Sequence, residues 1–525
     1  MIMNERHEKL LKLYKIFLEI CQKHDIKFYF TGGSALGAVR HQGFIPWDDD
    51  IDMGVTRDEW ERLKPILLEE LPEDLTYVDY MTHPTYAGHI CKIVDKNSID
   101  LYRSRLADGT PKGQFLEIFI LDPVPADKIE YHREMFWIYS EIMTPYFPYI
   151  NTNIKHHNFS MRKYRYYKFL AKILGKDKVI KMIEEKIFNY NKEECDYLLL
   201  EWGAVINYYP IGDFGEPQYI KFEDTVAPVG ARPAAQFYRD YGDDWMKYPD
   251  ISGQMAHVTI GNAHTPAEEY MKDIFTRVNA KTTNEMRVKV KDNTIRDFRK
   301  NVEMSREMLN FKANHLVHKM NSKESVASIK ALYEAKEFDA VYASFDEFFN
   351  LIKRGSKVGL VVKLNMELQE CALMAAIALG KLKMSNFILD NMMQSTSVPK
   401  DKVEFFKKYI HLFEEIRIEY YDGEYELAEN MLDQVKDQFG NSYMFTTMDV
   451  RNRIKLNKIS DASVDIKKID ELIEKYPSDY DLVKIKADLL LVAGEEAKAR
   501  ELYEEVLANS NNGIDILDIE SYMKG

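Results

Sequence analysis

The stretch from Phe30 to Met53 constrains the fold of this chain more than any other part of it. It reads FTGGSALGAVRHQGFIPWDDDIDM and joins a glycine-rich turn to an acidic segment. The apolar run Ile26 to Phe30 comes before the glycines, and Ala35 to Arg40 are helix-forming residues. The sequence therefore predicts a strand, a Gly-Gly-Ser turn and a helix. Such a turn directs backbone N–H groups at whatever lies above it.

The acidic segment is expected to form a second strand. Alternate residues of a strand point to the same side, so Asp50 and Asp52 share one face while Ile51 and Met53 face the core. Two carboxylates on one face suit a hard cation that also binds substrate phosphates. Asp48 lies two residues before Asp50, so its side chain would point to the same face. The pattern indicates phosphoryl or nucleotidyl transfer. The alternative is a solvated acidic turn.

Glu117 lies in an otherwise apolar run, QFLEIFILD, that predicts a neighbouring strand. Burying a lone carboxylate there would be costly without a cation or another partner. Glu117 is therefore predicted to complete a metal site with Asp50 and Asp52, with Mg²⁺ as the expected ion and Mn²⁺ as the alternative. The alternative is that the Glu117 side chain lies on an exposed face of the sheet.

The length and patterning indicate two domains. At 525 residues the chain is too long for one ordinary core. Strand and helix patterns mix in the first part, for which we predict an α+β catalytic domain over residues 1–300. Beyond residue 321, helix pairs recur roughly every 40 residues, which predicts an all-α, TPR-like repeat domain over residues 321–525. Four similar junctions mark the helix pairs: Ala335–Phe338, Ala378–Lys381, Tyr421–Tyr425 and Val492–Glu495.

Charge and composition exclude several classes of protein. The 71 Lys and Arg residues against 85 Asp and Glu residues give a net charge of −14, which disfavours nucleic acid as a partner. The four cysteines are far apart and form no C-x-x-C pair, which argues against disulfides or a thiolate zinc site. Without a long apolar segment, the chain is predicted to be cytoplasmic, or peripheral at the inner face of the membrane.

Residues 155–181 gather basic and aromatic side chains around a single acid, Asp177. They predict a basic helical insert near residues 155–200. A solvated helix packed on its apolar face is the favoured interpretation, and contact with anionic lipid or a lipid-linked glycan is the alternative. The C-terminal helices are expected to bind a protein partner or the acceptor, or to mediate self-association.

The stretch FTGGSALGAVRHQGFIPWDDDIDMGV resembles the signature of the LicD family, which includes bacterial phosphocholine transferases. The resemblance continues in KIVDKNS, LEIFILDPVP and FEDTVAPVGARPAAQFYRDYGDDWMKYP, and covers about residues 5–260. That family is similar to the polymerase-β-like nucleotidyltransferases, which implies that fold for the first domain. It also implies transfer of phosphocholine from a CDP-linked donor, CDP-choline above all, to a hydroxyl of a surface glycan such as teichoic acid or lipopolysaccharide, with release of CMP.

Carried over by position, the resemblance implies that Gly33 and Ser34 hold donor phosphates and that Asp50, Asp52 and Glu117 bind the metal. The family usually has Asp where this chain has Glu117. Either Glu117, or Asp48 if Glu117 only binds metal, is predicted to be the general base. The predicted donor-binding residues are Gly32, Gly33, Ser34, Arg40, His41, Trp47 and Lys92.

Three of these assignments compete with structural explanations. His41 could equally make a structural hydrogen bond, Trp47 could pack in the core, and Lys92 could be a surface lysine. His257 is interpreted as structural.

Two other functions stay open. The same fold could transfer phosphoethanolamine, 2-aminoethylphosphonate or a polyol phosphate from a CDP- or CMP-linked donor. Alternatively, the chain could be a non-catalytic helical-repeat scaffold.

Overall fold

A computed structural model describes residues 4–83, 86, 90–101, 110–143, 161–190, 192–202, 205–250, 253–254, 260–267, 303–395 and 397–524. The chain forms two compact units, a mixed α/β unit (residues 1–236 and 249–299) and an all-helical unit (residues 237–248 and 300–525). The sequence-based limits, 1–300 and 321–525, differ most from these units in the segment Phe237–Tyr248, which groups with the helices.

The mixed unit alternates strands and helices along its described residues. Its strands are β1 (Tyr29–Phe30), β2 (Asp52–Thr56), β3 (Leu75–Val78), β4 (Cys91–Asp95), β5 (Ile99–Leu101), β6 (Phe115–Val124), β7 (Tyr197–Trp202), β8 (Val205–Pro210), β9 (Gln218–Phe222), β10 (Thr225–Val229) and β11 (Ile260–Asn262). Its helices are α1 (Glu5–Lys23), α2 (Gly32–His41), α3 (Arg57–Glu70), α4 (Ile129–Met143), α5 (Met161–Leu174), α6 (Lys176–Ile187) and α7 (Ile211–Phe214). A further helix, α8 (Pro233–Tyr241), begins in this unit, and its residues from Phe237 onward belong to the helical unit.

The main sheet is organised around β6. Its strands run in the order β1-β2-β6-β4-β3, and β7 and β8 extend it from the far end of β6. β2 is parallel to β6, and the other pairs are antiparallel. Both faces of β6 are largely apolar and buried, as expected of a central strand. The start of β6 therefore meets both β2 and β4, which brings residues distant in sequence to one place.

Apolar residues recur at helical spacing in the N-terminal segment, which predicts a helix over about residues 4–24, and α1 confirms it. Asn4 caps α1, because its side chain accepts a hydrogen bond from the His7 N–H. The apolar face of α1 is buried, and Tyr14 meets Phe30 edge-on, with ring centroids 4.8 Å apart. Tyr14 also donates a hydrogen bond of 2.7 Å to the Val226 carbonyl. These contacts fix α1 against the strands beside the glycine stretch.

The predicted Gly-Gly-Ser turn is wrong in one respect, because α2 already begins at Gly32. Thr31 is extended, and the Ala35 N–H donates to its carbonyl, so helical hydrogen bonding starts at the glycines. The first helical turn has N–H groups without intrahelical partners, and Gly32 has a φ of +52° that disfavours larger residues. Strand β1 is also shorter than the predicted strand Ile26–Phe30.

The basic insert is shorter than predicted. It forms two helices, α5 and α6, separated by Gly175 with a φ of +87°. The predicted range of 155–200 is wrong at its end, because Leu198, Leu199 and Leu200 are buried in β7 of the main sheet. Residues 155–160 and His257 lie outside the described residues.

The second unit confirms the prediction of an all-helical region, whereas its TPR-like character stays a prediction. Residues 303–320 are helical. Twelve further helices follow among the described residues: Lys323–Glu334, Phe338–Ala343, Asp346–Ser356, Met366–Ala378, Leu382–Ser395, Lys400–Tyr421, Tyr425–Phe439, Tyr443–Lys455, Ala462–Lys475, Tyr480–Val492, Glu496–Asn509 and Gly513–Lys524. Within the described ranges, no helix is both long and apolar enough to cross a lipid bilayer.

The segment Phe237–Tyr248 packs inside this helical unit. The Trp245 ring meets Tyr421 edge-on at 5.2 Å between centroids. The Arg417 guanidinium donates to the Asp243 carbonyl at 2.5 Å. Aromatic packing and a charge-assisted hydrogen bond therefore explain why this segment groups with the helices and not with the strands that precede it.

All four predicted junctions are tight turns between helices. Each contains one residue with positive φ at the equivalent position: Lys336 (+58°), Gly380 (+69°), Gly423 (+87°) and Gly494 (+79°). Three are glycines, which adopt this conformation without a steric penalty from Cβ. Lys336 is the exception.

We expect the Lys336→Gly variant to be more stable than the native chain. Positive φ costs a non-glycine residue about 1 kcal/mol, so glycine should raise the free energy of unfolding by a similar amount. Urea unfolding of the two proteins would measure the difference. Gly423→Ala is the reverse control, because a Cβ there meets no other atom within 4 Å and only φ opposes it. A destabilised Lys336→Gly protein would contradict the prediction.

Candidate active site

Three carboxylates converge where β2 and β6 begin. The parallel pairing places Asp52 directly opposite Glu117, and Asp50 precedes Asp52 by two residues. One carboxylate oxygen from each residue lies within 4.8 Å of the other two. A second group with the same spacing consists of Asp48, Asp49 and Asp50. The structure thus brings together all four acids that the sequence singles out.

Asp52 is more buried than Asp50 and Glu117, with 7% of its surface exposed. Burial raises its pKa well above the usual value, and the negative charges of Asp50, Glu117 and Asp48 raise it further, while Lys92 opposes them. Among the contacts of the described residues, the buried Oδ1 of Asp52 has no hydrogen-bond partner. A cation bound between the carboxylates would compensate both the burial and the repulsion.

Lys92 is part of this cluster. It lies opposite Glu117 in the pairing of β4 with β6, and its Nζ is 2.7 Å from Glu117 Oε1. The same Nζ is 3.1 Å from the centroid of the Phe115 ring, and Lys92 is only 5% exposed. The surface-lysine interpretation is therefore wrong. A buried ammonium beside the acids offers fixed positive charge for a phosphate group.

The start of α2 lies against the acidic loop. The Asp52 N–H donates a hydrogen bond of 2.8 Å to Ser34 Oγ, which ties the first turn of α2 to the first residue of β2. A Cβ on Gly33 would lie only 2.6 Å from Asp48 Oδ2. Gly33 thus leaves room for the Asp48 carboxylate, a use that the sequence pattern alone does not reveal. Binding of donor phosphates by Gly32, Gly33 and Ser34 stays a prediction.

The Gly33→Ala variant is expected to lose activity while keeping its fold. The new methyl group would displace the Asp48 carboxylate, which is the mobile end of a side chain, so the strain is small but the acid is misplaced. We expect the predicted transfer activity to fall by about 100-fold, because misplacement of about 1 Å costs that much. Gly212→Ala is the matched control, since a Cβ there meets nothing within 4 Å. Unchanged activity in Gly33→Ala would show that the position of Asp48 is unimportant.

The first turn of α1 holds the backbone of the acidic loop. His7 Nε2 is 2.9 Å from the Asp48 carbonyl oxygen, and Arg6 donates to the Asp49 carbonyl at 3.3 Å. Arg6 also makes two hydrogen bonds to Asp100, at 2.6 and 2.7 Å. Burial lowers the pKa of His7, which favours the neutral ring that donates from Nε2. Sequence reasoning missed Arg6 and His7, and polar residues within an amphipathic helix were the only signal.

Residues 25–114 match the family described as LicD/FKTN/FKRP, nucleotidyltransferase domain. The chain contains a LicD-family domain. It is 28% identical over 270 residues to "Lipopolysaccharide cholinephosphotransferase LicD" of Haemophilus influenzae, over 49% of this chain and 95% of that protein. It is also 36% identical over 100 residues to the uncharacterized protein RP689 of Rickettsia prowazekii, over 18% of this chain and 34% of that protein. No solved structure matches the chain.

The remaining predicted residues of the LicD domain lie around the end of α2. Arg40 is buried, whereas His41 and Trp47 are half-buried and meet edge-on, with ring centroids 6.2 Å apart. Burial, together with the positive charge of Arg40, lowers the pKa of His41 to about 3. His41 is therefore neutral near pH 7 and can donate one hydrogen bond and accept another. Donor binding by these three residues stays a prediction.

Proposed function

We propose that this chain transfers phosphocholine, or a similar substituted phosphate, from a CDP-linked donor to a hydroxyl of a cell-surface glycan and releases CMP. Similarity to the Haemophilus LicD transferase supports a phosphotransferase. The observation that carries the proposal is the convergence of Asp50, Asp52 and Glu117 beside the start of α2. Glycine-led helix starts next to paired acids are suited to phosphate chemistry.

Asp50, Asp52 and Glu117 would hold Mg²⁺, with Mn²⁺ as the alternative ion. Their oxygens are the ligands that these hard cations prefer, and the unpartnered Oδ1 of Asp52 fits a direct bond to a cation. Glu117 is one methylene longer than the Asp usual in the family, and its contact with Lys92 still leaves its carboxylate within the cluster. When bound, the ion would offset the charge of the donor phosphates.

The residues of the chain then have separate tasks. The N–H groups at the start of α2 receive the donor phosphates, and Lys92 adds positive charge as the bond to CMP breaks. The acceptor hydroxyl attacks the distal phosphorus, and its proton passes to a carboxylate. We propose Asp48 for this step, because Lys92 already engages Glu117.

The proposal extends to fold and location. The order of strand, glycine-led helix and acidic strand, with a third acid opposite on β6, supports a polymerase-β-like nucleotidyltransferase fold. We also propose a cytoplasmic enzyme, peripheral at the inner face of the membrane, whose acceptor is a teichoic acid, lipopolysaccharide or other lipid-linked glycan. The C-terminal helices, as a TPR-like surface, would bind the acceptor, a protein partner or a second copy.

The decisive experiment is a donor comparison. The full chain is incubated with Mg²⁺, a glycan acceptor and one donor at a time: CDP-choline, CDP-ethanolamine, CMP-2-aminoethylphosphonate or a CDP-polyol. CMP release and mass spectrometry of the glycan report the transferred group. The proposal predicts the largest acceptor-dependent release with CDP-choline, and its loss on chelation of the metal.

Two outcomes change the assignment. Higher release with another donor would keep the reaction and replace the head group. No release above that of an Asp50→Asn, Asp52→Asn double variant with any donor would reject transferase activity and favour the scaffold function. Far-ultraviolet circular dichroism of that variant would verify that it folds.

A further inference from the structure

Helix α5 has two apolar faces, and among the residues that the structure describes, only one of these faces packs against neighbouring helices. Tyr164 and Tyr167 are buried in a core shared with α4 and α6. Tyr166, Phe169 and Ile173 are 57%, 59% and 62% exposed. Their spacing of three, four and seven residues places them on one side of the helix. The core therefore does not use this second face, contrary to the interpretation of a helix with a single packed apolar face.

Basic side chains accompany the exposed apolar face. Arg162, Lys163, Arg165 and Lys172 are all exposed, and α5 contains no acidic residue. Lys163 pairs with Glu134, which leaves most of the positive charge of the helix directed to solvent. This concentration of charge occurs in a chain with a net charge of −14. The helix is thus a local cationic and apolar surface on an acidic protein.

We infer that the exposed face of α5 binds the surface of a lipid bilayer that contains anionic lipids. Aromatic and aliphatic side chains enter the boundary between headgroups and acyl chains, while Lys and Arg pair with anionic headgroups. A protein partner would need a shaped complementary surface, whereas three apolar side chains among basic ones match a bilayer without one. The buried face, held by Tyr164 and Tyr167, keeps α5 fixed to the mixed unit as it contacts lipid.

The inference is independent of the proposed reaction, because lipid binding needs neither donor nor acceptor. It is tested by co-sedimentation of the full chain with vesicles of phosphatidylcholine alone and with vesicles of equal parts phosphatidylcholine and phosphatidylglycerol. We expect sedimentation with the anionic vesicles only, decreasing as salt is added, because surface charge attraction is screened.

Two double variants separate the contributions of charge and apolar contact. Arg165→Glu with Lys172→Glu should weaken binding to anionic vesicles by at least about tenfold, since each basic residue near the surface contributes to attraction. Phe169→Ser with Ile173→Ser should weaken it even at low salt. The matched control is Lys12→Glu with Lys221→Glu, which changes the net charge equally at exposed positions elsewhere in the mixed unit.

The outcomes decide the inference. Weaker binding by both α5 variants, with the control unchanged, supports it. Failure of the native chain to sediment with anionic vesicles overturns it and leaves a protein partner for this face. Equal losses in the α5 charge variant and the control also overturn it, because net charge alone would then explain the attraction. Since all six substituted positions, four on α5 and two in the control, are exposed, circular dichroism is expected to match the native chain in each case.

Discussion

The Asp52→Asn variant is expected to lose transfer activity by roughly 100-fold to 1,000-fold or more, as expected when a preorganised electrostatic contact is removed. Asn keeps the size of the side chain but not the charge that would hold the metal. Burial raises the pKa of this carboxylate, and the negative charges of Asp50, Glu117 and Asp48 raise it further. CMP release with a CDP-linked donor and Mg²⁺ would measure the loss.

The same variant should be at least as stable as the native chain when no divalent metal is present. Asn at position 52 removes a desolvated charge and its repulsion by neighbouring acids, so Tm should rise. Asp127→Asn is the control, because Asp127 is an exposed carboxylate outside the cluster. A lower Tm for Asp52→Asn would show that its carboxylate has a stabilising structural partner. Retained activity would remove Asp52 from the proposed metal site.

The Asp515→Asn variant should destabilise the helical unit by about 3–5 kcal/mol, the usual cost of breaking a buried ion pair by removing one partner. Arg451 donates two hydrogen bonds to Asp515, at 2.9 and 2.8 Å, and their side chains are only 7% and 4% exposed. Lys484 lies buried nearby, so the variant would leave two cations without this carboxylate. Urea unfolding followed by circular dichroism would give the difference in free energy.

The pH dependence of this pair has a definite sign. Burial by itself raises the pKa of Asp515, but Arg451 more than offsets it, so the pKa lies below the usual 3.8. The stabilisation is therefore present above pH 3.8 and is lost as the pH falls through the lower pKa of the folded state.

Glu496→Gln is the control for Asp515→Asn, because its pairing with Arg500 is largely exposed. Its free energy of unfolding should change by less than about 0.5 kcal/mol. Equal effects of the two substitutions would mean that burial does not govern the strength of these ion pairs.

Local patterns in the sequence predict much of the mixed unit. The helical periodicity of α1 and the alternation of acids around Asp52 each depend on residues close in sequence, and both are present in the structure. Boundaries are less accurate where tertiary contacts decide them. The helix α2 begins at Gly32, and the N–H of Asp52, far along the chain, donates a hydrogen bond to Ser34 Oγ in its first turn.

By itself, the sequence determined the types of most elements, the acid residues of the candidate site and the resemblance to the LicD family. Only the tertiary structure decided that Asp52 pairs opposite Glu117, that Lys92 is buried beside that acid, and that Asp48 occupies the space left by Gly33. The physical reason is that strand register and side-chain burial depend on contacts between distant segments. Helical and strand periodicity, in contrast, depends on residues that are close together in the sequence.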